Sequence, residues 1–160
     1  MTEKELEALK NRTQRLEDIE AIKILKAKYA AVCDDRYNPE KMMKLFTEDA
    51  IWDGGKDFGV HKGQAAIKKF SEEVSKNLVF AVHYFLQPVI TVHKNGTTAS
   101  GKWYLWQACT LQDGTGVWIS GLENDKYRKV NNEWLMSEMK LKLFFMTPYE
   151  QGWHKIKILK

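Results

Sequence analysis

Three short turn signals in the second half of the chain constrain its fold more than any other feature. Asn95-Gly96, Asp113-Gly114 and Asn131-Asn132 interrupt stretches rich in β-branched and aromatic residues. Asn-Gly and Asp-Gly are pairs that tight hairpin turns favour. Strands joined directly by hairpins run antiparallel to each other. The sequence therefore predicts an antiparallel sheet of four consecutive long strands, which cover residues 79–93, 97–111, 116–130 and 133–147.

The first half of the chain has the apolar spacing of helices instead. Residues 3–34 carry apolar side chains three, four or seven positions apart. Residues 1–13 are more polar, and they are expected to form a separate or frayed helical segment. Asn38-Pro39 predicts the start of a second helix over residues 39–46, because proline suits the first helical turn. A third helix is predicted over residues 64–76.

A short strand at residues 50–52, followed by a glycine-rich turn or hairpin, separates the second helix from the third. No repeat, low-complexity tract or linker divides the chain. We therefore expect one α+β domain over residues 1–160, in which three N-terminal helices pack on the sheet. Residues 148–160 are expected to form a C-terminal tail.

The predicted strand over residues 97–111 carries large apolar side chains on both faces. Trp103, Leu105 and Gln107 point to one face, and Tyr104 and Trp106 to the other. A sheet with one face in water should be more polar on that face. The helices can cover one face, so we expect another subunit to cover the other.

The composition favours an apolar pocket and argues against several other functions. The chain has six Trp, six Tyr and seven Phe, and aromatic residues line apolar ligand pockets as well as cores. The net charge is only +4 and the charges are interleaved, so nucleic-acid binding is not expected. The N-terminus lacks an apolar signal core and no run of 18 apolar residues occurs, which predicts a cytoplasmic protein that does not bind membranes.

Cys33 and Cys109 are both predicted in apolar surroundings, one on a helix and one on a strand. Free, buried thiols fit a reducing compartment, although the spacing leaves a disulfide open.

Asp34 is a candidate for chemistry because it ends the first predicted helix. A carboxylate there lies at the negative end of the helix dipole, which is unfavourable without a partner. A solvated helix-ending residue is the alternative, and it is the more natural interpretation for Asp35.

His83 lies among apolar and aromatic residues where the long strands begin. A buried histidine needs a partner, and a carboxylate partner raises its basicity. A structural histidine bonded to the backbone is the alternative.

The remaining histidines, His61, His93 and His154, lie near turns or in the tail, and no pair has the close spacing of a zinc site. The glycines at 54, 55 and 59 do not form a dinucleotide-binding loop, and there is no nucleophile-elbow motif. We expect no metal and no cofactor.

Several segments together carry a family resemblance. They are residues 16–23, Lys28-Tyr29 with Asp34, residues 82–84, residues 101–105, residues 125–127 with Trp134, and residues 147–153. In this order they resemble the SnoaL-like branch of the nuclear-transport-factor-like superfamily, and within it the bile-acid dehydratases, hexachlorocyclohexane dehydrochlorinase and scytalone dehydratase. The resemblance implies a strongly curved sheet that forms a cone around an internal pocket. It also favours a homotrimer or a homodimer.

The resemblance also implies a site. Asp34 matches the aspartate of an Asp–His dyad, His83 matches its histidine, and Tyr29 matches a tyrosine that works beside the dyad. The implied chemistry is cofactor-independent: His83 removes a proton from carbon, Asp34 fixes its tautomer, and Tyr29 donates to a leaving hydroxyl or polarises a carbonyl. The residues expected to bind a small hydrophobic cyclic substrate are Trp52, Trp103, Leu105, Gln107 and Trp118.

This chain departs from the bile-acid enzymes at two places. Gln107 replaces an acid, and the last strand lacks their arginine, for which Lys140 or Lys142 would be the substitutes. Three functions therefore remain open. One is a dehydratase-type lyase or isomerase, and the second is a non-catalytic module that binds a hydrophobic small molecule in the cone. The third is a structural or assembly protein that uses only the face of the sheet.

Overall fold

The computed structural model describes residues 1–159. Four helices precede or lie between the first strands: α1 (Glu3–Asp34), α2 (Pro39–Met43), α3 (Gly55–Phe58) and α4 (Gln64–Asn77). Six strands form the sheet: β1 (Phe46–Asp53), β2 (Val60–Lys62), β3 (Leu78–Val92), β4 (Thr98–Leu111), β5 (Gly116–Val130) and β6 (Glu133–Pro148).

The sheet has the strand order β2-β1-β6-β5-β4-β3 and is not closed into a barrel. Strands β3 to β6 pair antiparallel through consecutive hairpins, as the turn signals predict. Strand β1 pairs parallel with β6, so the sheet is mixed rather than purely antiparallel. The predicted α+β fold, with helices packed on a mainly antiparallel sheet, is confirmed.

The predicted boundary between the second helix and the first strand is wrong. The helix was expected to reach residue 46, but α2 ends at Met43 and Phe46 begins β1. Phe46 pairs with Met136 of β6, and the Met136 amide donates to the Leu45 carbonyl at 2.9 Å. The Gln64 side chain donates to the Met43 and Phe46 carbonyls. These partners are distant in sequence, so they override the local helical pattern.

Helix α1 is continuous from Glu3, and residues 1–13 are therefore not a separate segment. Thr2 caps the helix through a reciprocal capping box with Glu5. The first 17 residues are exposed, whereas the second half of the helix buries a stripe against the concave face of the sheet. The buried apolar residues of this stripe are Ile22, Leu25, Tyr29, Val32 and Cys33.

The convex face of the sheet carries an aromatic cluster that is partly covered by the chain's own tail. Trp106 lies 5.5 Å from Trp118 and 5.8 Å from Phe145, between ring centroids. Trp153 of the tail stacks on Phe145 at 5.2 Å. The expected cover by another subunit is thus supplied in this region by residues after β6.

In the part of the chain that the structure describes, no helix combines the length and apolarity needed to cross a bilayer. Cys33 and Cys109 are both buried and not joined to each other.

Candidate active site

An apolar cavity of about 330 Å³ lies between α1, α4 and the concave face of the sheet. This volume lies at the lower end of the range for small-molecule sites. Most lining residues are apolar or aromatic, and a few polar groups interrupt them. The polar or hydroxyl-bearing lining residues are Tyr29, Tyr37, Glu73, Asn77, His83, Gln107 and Glu123.

Asp34 and His83 meet at this cavity although 49 positions separate them. His83 lies on β3, which is an edge strand, so its backbone N–H points away from β4 toward the end of α1. Asp34 Oδ1 accepts that N–H at 2.9 Å and the ring Nδ1–H at 2.7 Å. Because a carboxylate can only accept, Nδ1 carries the proton of the neutral ring and Nε2 carries the lone pair.

The position of Asp34 is unfavourable by itself. No basic residue lies in the last turn of α1, so the carboxylate faces the negative end of the helix dipole without a local cation. The two donors of His83 offset this. The His83 side chain is only 3% exposed, whereas that of Asp34 is 33% exposed. The dyad therefore bridges the solvent and the cavity wall.

Tyr37 completes the hydrogen-bond chain, and the sequence interpretation missed it. Its hydroxyl lies 2.8 Å from His83 Nε2, so the phenol donates to the lone pair. Arg36 and Tyr37 both have left-handed backbone conformations, with φ of 54° and 52°. Such strain in non-glycine residues costs energy and clusters at functional sites. Burial raises the pKa of the Tyr37 hydroxyl well above its usual value, so the phenol stays neutral.

Tyr29 faces the same cavity from α1. Its hydroxyl accepts a hydrogen bond from Trp52 Nε1 at 3.3 Å. Its own proton points to Met139 Sδ at 3.7 Å, which is a weak acceptor. Burial raises the pKa of Tyr29 well above its usual value. The hydroxyl is thus a neutral donor whose proton is available to a ligand.

Three of the predicted substrate-binding residues line the cavity: Trp52, Leu105 and Gln107. Gln107 is opposite His83 in the pairing of β3 with β4, and its side chain is buried. The carboxamide therefore lies beside the dyad, where it can bond a polar group of a ligand.

Trp118 and Trp103 lie outside the cavity lining, which corrects their predicted place. Trp118 is opposite Ala108, on the convex face, where it packs against Trp106 and Tyr149. Trp103 lies on the same, concave face of β4 as Leu105 and Gln107, but it lies beyond the end of the cavity. Its indole N–H donates to the Tyr127 hydroxyl at 2.9 Å.

Lys140 and Lys142 do not replace the arginine of the related enzymes at the cavity. Both are exposed, and Lys140 lies 3.4 Å from Asp53.

A buried charge cluster borders the inner end of the cavity. Lys26 of α1 hydrogen-bonds Glu123 Oε2 and lies 2.8 Å from Asp125 Oδ2. The Tyr127 hydroxyl donates to Asp125 Oδ2 at 2.7 Å. Burial opposes the charge on Lys26, but the two carboxylates raise its pKa above the usual value. Burial raises the pKa of Glu123 to about 7, and the charge of Asp125 adds to this effect while Lys26 opposes it.

The sequence contained a signal for this cluster. Glu123 and Asp125 share the alternation of Val117 and Ile119, so β5 places two acids on its otherwise apolar face.

Together, the helices, the sheet and the cavity with its Asp–His pair define a domain of the cone-shaped α+β class with an internal pocket. The family model for the SnoaL-like domain matches residues 14–140, and the chain belongs to this family.

Solved structures support the same fold. A proposed aromatic ring hydroxylase from Novosphingobium aromaticivorans is 26% identical, with 83% of this chain and 94% of that one covered and a TM-score of 0.78. A proposed scytalone dehydratase from the same organism is 21% identical, with 86% and 91% covered and a TM-score of 0.79. A hexachlorocyclohexane dehydrochlorinase from Novosphingobium barchaimii is 17% identical, with 86% and 93% covered and a TM-score of 0.76.

Proposed function

We propose that this protein is a cofactor-independent lyase of the dehydratase type, or an isomerase, that acts on a small hydrophobic cyclic substrate. The observation that carries the proposal is the 2.7 Å contact of Asp34 Oδ1 with His83 Nδ1 at the wall of an apolar cavity. The contact leaves Nε2 as a base that is held in one tautomer and directed inward.

The elimination begins when His83 Nε2 takes a proton from a substrate carbon. The electron pair of that C–H bond forms the new double bond, and the neighbouring C–O bond breaks. Tyr29 gives its proton to the leaving hydroxyl, which departs as water, and the imidazolium proton then restores the tyrosine through Tyr37 or solvent. For an isomerisation, the imidazolium returns its proton to another carbon instead. General acid–base catalysis of this kind contributes on the order of 100- to 10,000-fold.

Gln107 and Tyr37 are proposed to hold the substrate oxygen near the base. The cavity walls are mostly apolar, and hydrogen bonds to charge that develops during a reaction are stronger in such surroundings than in water. Trp52 and Leu105 supply apolar contacts to the ring.

The names of two structural neighbours agree with this reaction class. One is a dehydrochlorinase of hexachlorocyclohexane and one is a proposed scytalone dehydratase, so both names describe eliminations. The name of a third neighbour describes ring hydroxylation instead.

A second candidate is a non-catalytic module that binds a hydrophobic small molecule. The feature that favours it is the hydrogen bond from Tyr37 to His83 Nε2, because this bond occupies the lone pair that a catalytic base needs. In that case the dyad serves as a polar anchor.

We further propose that the protein forms a homodimer or homotrimer through the convex face of the sheet. Large apolar side chains remain exposed there beyond the reach of the tail, and they include Phe80, Tyr84, Leu86, Tyr104 and Phe144. An exposed apolar patch of this kind is typical of an interface.

Proton abstraction from carbon can be tested before the natural substrate is known. A panel of cyclic ketones and cyclic β-hydroxyketones is incubated with the protein in D₂O, and NMR follows deuterium exchange beside the carbonyl while absorbance follows conjugated products. We expect His83→Ala and Asp34→Asn each to abolish the activity, with unchanged circular dichroism.

His154→Ala is the matched control, because His154 is exposed in the tail. It should behave as the wild-type protein does. Wild-type activity in both dyad variants would rule out this mechanism and favour the binding module.

A further inference from the structure

Glu123 is a buried carboxylate at the cavity to which the proposed reaction gives no role. It is 3% exposed and lines the cavity among Leu105, Ile119 and Leu141. Buried carboxylates in apolar surroundings need partners to offset their lost hydration.

The partners of Glu123 satisfy only part of its carboxylate. Lys26 hydrogen-bonds Oε2, and no other hydrogen bond to Glu123 occurs within residues 1–159. Asp125 shares the same ammonium and also receives the Tyr127 hydroxyl. Two carboxylates thus compete for one cation. Asp125 receives two donors, both at Oδ2, and its Oδ1 is buried without a partner but lies away from the cavity lining.

We propose that Glu123 is a second ligand-contacting residue, which accepts a hydrogen bond from a hydroxyl group at the end of the substrate remote from His83. This inference deepens the proposed function and rests on the cavity being its ligand site. It narrows the substrate class to compact ring compounds that carry a hydroxyl away from the reacting carbon.

A neutral donor suits Glu123 better than other polar groups. An anionic group on the ligand would be repelled by the excess negative charge of the cluster, and an ammonium group would lose its hydration in an apolar cavity. A hydroxyl supplies the missing hydrogen bond without adding a charge, and hydrogen bonds to ionised groups are the stronger kind.

The sheet register separates Glu123 from the dyad. His83 is opposite Gln107, and Gln107 is opposite Ile119 on β5. Glu123 follows Ile119 four residues later on the same face of β5, which is about 13 Å along the strand. Strand β5 is two strands away from β3, which adds about 10 Å across the sheet between the backbones of Glu123 and His83. Both side chains line the same cavity of about 330 Å³, so a ligand of two fused rings is the size of compound chosen to reach both.

The cluster also has a structural role, because it ties α1 to β5. That role involves Asp125 as much as Glu123, since both bind Lys26. Only Glu123 lines the cavity, however. The two acids therefore form a matched pair for an experiment: Glu123→Gln and Asp125→Asn each remove one charge from the same ammonium, and only the first alters the cavity wall.

The experiment measures binding of 2-naphthol, 2,6-dihydroxynaphthalene and 2,7-dihydroxynaphthalene by calorimetry near pH 6 and near pH 8. We expect at least one diol to bind the wild-type protein about tenfold more tightly than 2-naphthol near pH 8, as one hydrogen bond to a charged group predicts. The advantage should shrink near pH 6, where Glu123 is mostly protonated.

The charged groups around Glu123 are Lys26 of α1 and Asp125 of β5. The titratable groups that interact with it as neutral groups are Tyr29, Cys33, Tyr37 and Tyr127. In Glu123→Gln the pH dependence of the diol preference should vanish. In Asp125→Asn the preference should persist and its pH transition should move to lower pH, because the charge of Asp125 helps to raise the pKa of Glu123.

Equal affinities of the wild-type protein for the naphthols near pH 8, or no binding of any of them, would overturn the inference. An unchanged, pH-dependent diol preference in Glu123→Gln would also overturn it. If Glu123→Gln does not fold, the wild-type protein alone tests the inference, and a diol preference that is equal near pH 6 and near pH 8 would overturn it. The binding measurement needs no turnover and the D₂O exchange assay does not depend on Glu123, so failure of the proposed reaction and failure of this inference give different results.

Discussion

Tyr37 shows how a single residue changes the chemistry available to the dyad. Its hydroxyl occupies His83 Nε2 in the resting structure, at 2.8 Å. A substrate that brings its own oxygen into the cavity offers this hydroxyl another acceptor. Tyr37 can then release the base and hydrogen-bond the substrate in one movement.

Tyr37→Phe should therefore lower the rate of proton exchange by roughly ten- to a hundredfold, because the donor that stabilises the developing charge is lost. The free energy of unfolding should change by only about 1 kcal/mol, the typical worth of one hydrogen bond. NMR exchange rates and urea unfolding check the two values. Tyr104→Phe is the control, since Tyr104 lies on the convex face. An unchanged or faster rate in Tyr37→Phe would show that Tyr37 only caps the base.

Glu123 predicts a pH dependence of stability. Burial raises its pKa to about 7 in the folded protein, above the usual value of 4.5, so the folded state binds the proton more tightly than the unfolded state. Its contribution to the free energy of unfolding is then greatest below about pH 4.5 and falls as the pH rises to about 7. As the pH rises across this range, the free energy of unfolding of the wild-type protein should fall by on the order of 2–3 kcal/mol relative to that of Glu123→Gln. Parallel urea titrations at several pH values measure the difference, and a constant difference would contradict the prediction.

The residues differ in how well the sequence could predict them. Asp34 and His83 came from a family resemblance, since no spacing rule joins positions 49 apart. Tyr37 reaches the dyad through two consecutive left-handed residues, where sequence rules expect glycine or asparagine. Glu123 was within reach, because its alternation with Ile119 assigns it to the apolar face of β5.

At the scale of elements, α1 is anchored to the sheet by polar contacts at two points along its length. Asp18 accepts hydrogen bonds from Lys129 at 2.6 Å and from Trp134 Nε1 at 2.9 Å. Lys26 makes the second anchor, two turns further on. The residues before Asp18 contribute little to the fold, because all of them are exposed.

Deletion of residues 2–13 should consequently change the free energy of unfolding by less than about 1 kcal/mol. Asp18→Ala should lower it by roughly 2–3 kcal/mol, because a buried indole N–H and an ammonium lose their acceptor. Urea unfolding of the two variants beside the full chain provides the comparison. A large loss of stability on truncation would mean that the exposed half of α1 has a partner.

The element boundaries show where local patterns stop being informative. The hairpins from β3 to β6 were predictable because their turns are encoded within a few residues. Strand β1 was predicted too short, at residues 50–52, because its first residues have helical spacing. Strand β1 forms because it pairs in parallel with β6, and its residue Phe46 pairs with Met136, 90 positions later in the chain. Local propensity carries no information about such a distant contact.

At the scale of the whole molecule, the tail leaves part of the convex face of the sheet exposed. Leu86 of β3 is 46% exposed there and is opposite Tyr104, which packs against Phe144.

If this surface is the proposed interface of the homo-oligomer, a charge placed at its centre must be buried unpaired on association, which is costly. Leu86→Glu should therefore be monomeric by light scattering and sedimentation at concentrations where the wild-type protein is a dimer or trimer. Ile24→Glu is the matched control, because Ile24 is similarly exposed, at 50%, but lies on α1. A monomeric wild-type protein, or an oligomer that survives Leu86→Glu and dissociates in Ile24→Glu, would move the interface away from the sheet.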